Sequence, residues 1–228
     1  MSLPKTLLPY FLFGLLNLIG CVAEIELLRT ISKPLLMPAL AFFFYKEAPA
    51  SPLNRHVMAA LLFSWLGDTL LMFVSEADIF FMLGLSSFLL AHLVYIIINM
   101  SAVTEAGSGF KPQWQDLPFL LYGFLIFGML KDNLGDMYFP ALAYAVVICI
   151  MALTARKRWK RSDNQSFWLV MSGALVFMVS DSLLALNRFL DPIPQSDLLI
   201  MTTYIVAQFL IIKGLIAFLQ KIPHEAGS

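Results

Sequence analysis

Apolar stretches long enough to cross a lipid bilayer follow one another along this chain with only brief polar connectors, and that pattern admits few folds. Hydrocarbon offers no hydrogen-bond partners, so a run of about 20 apolar residues crosses it as a helix that satisfies its own backbone. On that rule eight spans are predicted, at 7–24, 29–45, 56–74, 79–99, 117–130, 138–155, 166–187 and 198–219. The expected fold class is an all-α polytopic membrane protein of eight transmembrane helices, with 1–228 as a single transmembrane domain. Composition agrees, with 13% charged residues where a soluble domain carries about 25%. A formal charge of zero argues against nucleic acid, because the one cluster of cations sits at a predicted membrane edge. Cys21 and Cys149 both fall inside spans, which disfavours a disulfide framework or a thiolate metal site.

Lys5, an apolar run and Leu18-Ile19-Gly20-Cys21 share the pattern of a lipoprotein leader, but the same segment completes an even number of spans. A retained first helix is the expectation. Cations gather on the cytoplasmic side of membranes, so the loop Arg156-Lys157-Arg158-Trp159-Lys160-Arg161 sets the orientation. Placed inside, as a solvated stop-transfer signal, it brings Lys5, Lys46, Arg55, Lys111 and Lys221 with it. Both termini are then cytoplasmic, and Arg29, Lys33, Lys131 and Arg188 face outward. The expected location is an integral protein of a bacterial cytoplasmic (inner) membrane. Residues 100–116, the longest connection, join two sets of four helices that carry matching features. The third helix of each set has an aspartate, and the fourth has His92 to Tyr95 or Tyr204 to Gln208. This is the pattern of a 4+4 duplication with both halves in parallel orientation, its site walled by the third, fourth, seventh and eighth helices.

Asp68 and Asp181 are the leading candidates for chemistry, since a bare carboxylate in such surroundings costs several kcal/mol of lost hydration. Each lies six residues before the predicted outer end of its span, roughly 10 Å below the surface at 1.5 Å per residue. Ser64 shares the face of Asp68 one turn earlier and is placed to hold its carboxyl. Phe88, His92, Tyr95 and Asn99 form a stripe on the fourth span that should face protein or a cavity. His92 alone reads more readily as a hydrogen-bonded packing residue than as a metal ligand, and with His56 and His224 elsewhere no zinc set arises. Lys33 and Arg188, with Asn187, stand nearer the outer headgroups, suited either to a phosphate or to snorkelling. Pro34 and Pro38 should bend the second span. Tyr204 and Gln208 either orient water or a substrate oxygen, or join helices.

Five segments carry a resemblance: Phe63-Ser64-x-x-Gly67-Asp68; Ala91-His92-x-x-Tyr95; Ser172-Gly173-Ala174-Leu175-x-Phe177-x-x-Ser180-Asp181; Ala185-Leu186-Asn187-x-Phe189-x-x-Pro192-x-Pro194; and Leu199-Ile200-Met201-x-Thr203-Tyr204-x-Val206-Ala207-Gln208. Together they resemble the YhhN family of lysoplasmalogenases. The resemblance spans the second to eighth helices and leaves the first without a signature. It implies an eight-helix membrane hydrolase that cleaves the vinyl ether of lysoplasmalogens, releasing a fatty aldehyde and a glycerophospho-ethanolamine or -choline. It also implies that Asp68 and Asp181 correspond to the family's two essential aspartates. Many bacteria make no plasmalogen, so the natural substrate stays open.

The residues suit that chemistry. A vinyl ether resists base and is hydrolysed by protonation of its β-carbon, giving an oxocarbenium ion that water captures. Two carboxyls close together in a poorly hydrated site favour a state in which one keeps its proton while the other is ionised, as in glycosidases. The assignment is therefore Asp68 and Asp181 as catalytic pair, with His92, Tyr95, Tyr204 and Gln208 placing water and ether oxygen, Ser64 supporting, and Lys33, Asn187 and Arg188 at the phosphate. No cofactor or metal is required. The partners are a lysophospholipid substrate and membrane lipids; a homodimer is compatible with the sequence, though no interface motif specifies one. The alternatives are a proton-coupled transporter, which Gly or Pro breaks at matching places in both halves would favour, and a scaffold whose aspartates only join helices.

Overall fold

A computed structural model describes residues 4–104 and 113–221. Among them lie eight α-helices and no strand: α1 (Leu8–Val22), α2 (Glu26–Glu47), α3 (Asn54–Leu71), α4 (Ile79–Thr104), α5 (Leu117–Leu130), α6 (Tyr138–Lys157), α7 (Asn164–Phe189) and α8 (Ser196–Leu219). Lys111 and His224 fall outside the described residues. Six helices are long and apolar enough to cross a membrane, with α3 and α5 excepted. The cause is local in each case: α3 opens on Asn54-Arg55-His56 and carries Asp68, and α5 has only 14 residues.

Helix ends follow capping chemistry. Pro9 and Pro118 occupy the first turns of α1 and α5, where a missing N–H costs nothing. The Asp163 carboxylate accepts from the Gln165 and Ser166 backbone N–H groups at 3.0 and 3.3 Å and starts α7. In α2, Pro38 has no N–H to offer the carbonyl of Pro34 one turn back. The Trp65 indole N–H of α3 donates to that orphan at 2.9 Å, so the proline interruption ties α2 to α3.

Close helix pairs are built on small residues. Gly67 and Gly84 let α3 and α4 approach until a Cβ at Gly67 would stand 2.6 Å from the Phe88 ring. Gly173 and Gly214 do the same for α7 and α8, where a Cβ at Gly173 would meet the Ile211 backbone N at 2.9 Å. α8 is the most enclosed span and packs on α7, α1 and α2.

Two expectations are corrected. The basic loop is not a solvated flag. Arg156 donates through Nε to Asp116 Oδ1 at 2.7 Å and to Gln113 and Gln115, and Lys157 reaches Asp116 Oδ2 at 3.0 Å. Arg158 is fully buried, donating to Ser166 Oγ at 2.7 Å and Asn99 Oδ1 at 3.3 Å beneath Phe218. The loop therefore locks α6 to α4, to α7 and to the segment leading into α5. The aspartates, moreover, are not equidistant from their helix ends. α3 stops at Leu71, three residues past Asp68, while α7 runs eight past Asp181, because the chain turns at Met72 whereas Leu184 to Phe189 stay helical.

Candidate active site

A cavity of about 620 Å³ opens among α1, α2, α3, α4, α7 and α8, and Asp68 and Asp181 both line it. Two carboxyls separated by 113 positions thus share one space. Each is held by a tyrosine from another helix. The Tyr204 hydroxyl donates to Asp68 Oδ2 at 2.7 Å, and the Tyr144 hydroxyl donates to Asp181 Oδ2 at 2.6 Å. A hydrogen bond to an ionised acceptor is worth about 1.5–3 kcal/mol, enough to fix a buried carboxyl's rotamer.

His92 is fully buried, with Nε2 3.6 Å from Asp181 Oδ2. Its ring packs edge-on against Phe177 and Tyr144, at centroid distances of 4.7 and 5.4 Å. It therefore supports the tyrosine that holds Asp181. Tyr95 donates to Gln208 Oε1 at 2.8 Å, and Gln208 Nε2 donates to Ser64 Oγ at 3.0 Å. That buried chain joins α4, α8 and α3 behind Asp68. Ser64 thus accepts from Gln208, with which it is buried, rather than holding the Asp68 carboxyl.

The rim toward the loops α1–α2 and α7–α8 is charged. Lys33, Arg29, Glu26, Glu76, Asp197 and Arg188 line it, together with Asn187. Arg188 pairs with Asp78 at 2.6 Å and Arg29 with Asp197 at 2.5 Å; both pairs are exposed, where such contacts contribute at most about 1 kcal/mol. The Asn187 side chain accepts from the Ile193 backbone N–H at 2.8 Å and shapes the turn into α8. Lys33 is half-buried on the cavity wall, the same space into which Asp68 faces.

Sequence reasoning missed Tyr144 and Asn17. Asn17, buried on α1, donates to Ser32 Oγ at 3.1 Å and lines the cavity. Both are polar residues in apolar spans, the signal that singled out His92. The repeat of features in the third, fourth, seventh and eighth helices does not point to them, whereas α1 and α2 also wall the cavity and α6 supplies Tyr144.

Known proteins resemble this chain over most of its length. The family model of the YhhN family matches residues 28–215, from early α2 to late α8. The chain is 30% identical to the human lysoplasmalogenase TMEM86B over 175 residues, 75% of this chain and 68% of that one. It is 28% identical to human lysoplasmalogenase TMEM86A, over 77% and 71% of the two chains. A lysoplasmalogenase of Mycobacterium tuberculosis is 27% identical over 86% of this chain and 74% of its own. No solved structure matches. With nearly the whole helical bundle covered, the chain belongs to the YhhN family.

Proposed function

We propose that the protein is a lysoplasmalogenase, hydrolysing the vinyl ether of a lysoplasmalogen to a fatty aldehyde and a glycerophospho-ethanolamine or -choline. The observation that carries this reading is the pair of tyrosine-held carboxyls in one cavity of a membrane-helix bundle, in a chain whose relatives bear that name. One aspartate, protonated, delivers its proton to the alkenyl β-carbon. The resulting oxocarbenium ion is balanced by the other, ionised aspartate, which takes a proton as water adds. The hemiacetal collapses to aldehyde and alcohol, and one proton passing between the carboxyls resets the pair. Tyr204 and Tyr144 hold the two acids, and Lys33 and Arg188 at the rim suit the phosphate.

The reading includes eight spans in a bacterial cytoplasmic membrane, both termini inside and the cavity rim outside. It also includes a parallel duplication. Supporting this, the offset of 113 that relates Asp68 to Asp181 also relates Tyr95 to Gln208, and those two meet in a hydrogen bond as residues near a pseudo-axis would. Proline breaks do not repeat: Pro34 and Pro38 interrupt α2, but Pro140 lies in the first turn of α6, where a helix loses no hydrogen bond. That removes the feature that would have favoured a carrier.

The test is aldehyde release from a synthetic alkenyl lysolipid by detergent-purified protein. Wild type is expected to turn over, and Asp68→Asn and Asp181→Asn each to lose at least about 10²- to 10⁴-fold, the usual contribution of a general acid or base, with melting temperature retained. Full activity in either variant overturns the mechanism.

A further inference from the structure

A second space meets the cavity at Asp181. It is a narrow slot of about 70 Å³ between α4, α5, α6 and α7, walled by hydrocarbon side chains such as Leu85, Ile126, Ala141, Ile148 and Ala185. Its few polar groups include the Asp181–Tyr144 pair and the neighbouring Tyr122–Ser182 hydrogen bond of 2.8 Å. Phe81, Asp181 and Leu184 belong to both spaces, so Asp181 stands at the boundary between slot and cavity. Asp68 lines the cavity and not the slot.

We propose that the slot seats the first carbons of the alkenyl chain beyond C2, and that Asp181 is therefore the acid that protonates carbon while Asp68 serves the water. This rests on the hydrolase reading above. The atoms of the substrate run in a fixed order: headgroup, glycerol oxygen, C1, C2, chain. With the zwitterionic headgroup among the rim charges and the chain in an apolar slot, C2 lies on the slot side and C1 toward the cavity. A carboxylic acid at the junction donates its proton to C2 as the C1=C2 π pair forms the new C–H bond. Water then adds through oxygen to C1, and its proton goes to the Asp68 carboxylate. The C1–O(glycerol) bond breaks as the hemiacetal collapses, and the proton on Asp68 returns to Asp181. No oxidant or further reactant is needed. The opposite assignment puts the carbon acid on the headgroup side, away from C2.

Two measurements decide this. Azide adds to an oxocarbenium ion without shedding a proton, so it restores consumption of the alkenyl lysolipid in Asp68→Asn, which keeps the carbon acid and lacks the water-side base. Asp181→Asn gains nothing from azide. Rescue of Asp181→Asn, or of neither variant, overturns the assignment. Ala141→Leu and Ala185→Leu fill the slot without touching either acid. Each is expected to lower kcat/KM at least about tenfold on C8 and C16 alkenyl chains alike, because the slot holds only the carbons next to C2, in line with the discrimination that added methylenes bring in a hydrophobic pocket. Unchanged kcat/KM on both chains in variants of unchanged melting temperature overturns the slot as chain seat while the hydrolase reading stands. Absence of aldehyde from wild type on every alkenyl lysolipid overturns the hydrolase reading and this inference with it.

Discussion

Tyr144 and Tyr204 perform one service for two acids, each reaching across from a neighbouring helix to donate to a carboxylate oxygen at 2.6 or 2.7 Å. A phenol is a good donor for this purpose, because its ring packs as hydrocarbon while only the tip is polar. Tyr204 lies edge-on to Phe88 and Phe177, and Tyr144 lies edge-on to His92, so both hydroxyls are aimed by aromatic packing rather than by solvent. Replacing either by Phe keeps the packing and removes only the donor. With a hydrogen bond at about 1.5–3 kcal/mol to an ionised group and about 0.5–1.5 kcal/mol to a neutral one, Tyr204→Phe should cut kcat about 10- to 100-fold and Tyr144→Phe about 2- to 10-fold, read as aldehyde release at a temperature where both variants remain folded. Gln208 joins three partners in a dry interface, accepting from Tyr95 and donating to Ser64 and, at 3.5 Å, to the Tyr204 hydroxyl, so its loss should lower stability as well as loosen the tyrosine that holds Asp68.

Helix pairing carries the next level of constraint. A Cβ at Gly173 would meet backbone atoms of α8, Ile211 N at 2.9 Å and Ala207 O at 3.0 Å, which cannot rotate away as a side chain can. Gly173→Val should therefore push α7 from α8 and cost about 1–3 kcal/mol, seen as a lowered unfolding midpoint in detergent; an unchanged midpoint would refute the close pairing. The segment into α5 is held by charge instead. Desolvation works against ionised Asp116, but the Gln113 backbone N–H, the Lys157 ammonium and the Arg156 guanidinium outweigh it and hold the carboxyl below its ordinary value. A carboxyl lower in the folded than in the unfolded state adds stability above its unfolded pKa, near 4, and loses it as pH falls through the folded one. The difference in unfolding midpoint between wild type and Asp116→Asn should thus hold steady from about pH 7 to 5 and close below about pH 4.

Across the whole molecule, hydrophobic run length fixes much of the architecture, because lipid leaves a backbone no alternative to helices. The positions of Asp68 and Asp181 were legible for the same reason, a charge in hydrocarbon being too costly to be accidental. Partners distant in sequence were not legible: nothing in Arg156-Lys157-Arg158 discloses Asp116, Asn99 or Ser166, and nothing near Tyr144 discloses Asp181. Predicted and observed helix ends differ where polarity and helicity part company, as in the polar first turn of α3 and its stop at Leu71. The sidedness of the bundle can be read with the two native thiols. Cys21 is half-buried and lines the cavity near Arg29 and Glu26, whereas Cys149 is buried against the Phe119 carbonyl and Gly123. A membrane-impermeant maleimide should therefore modify one thiol per chain, Cys21. If the rim faces outward, as the cation distribution argues, that thiol reacts in intact right-side-out vesicles, and a lysolipid occupying the cavity slows the reaction. Modification only after the vesicles are opened would invert the orientation, and modification of Cys149 in the folded protein would contradict the packing of α5 on α6.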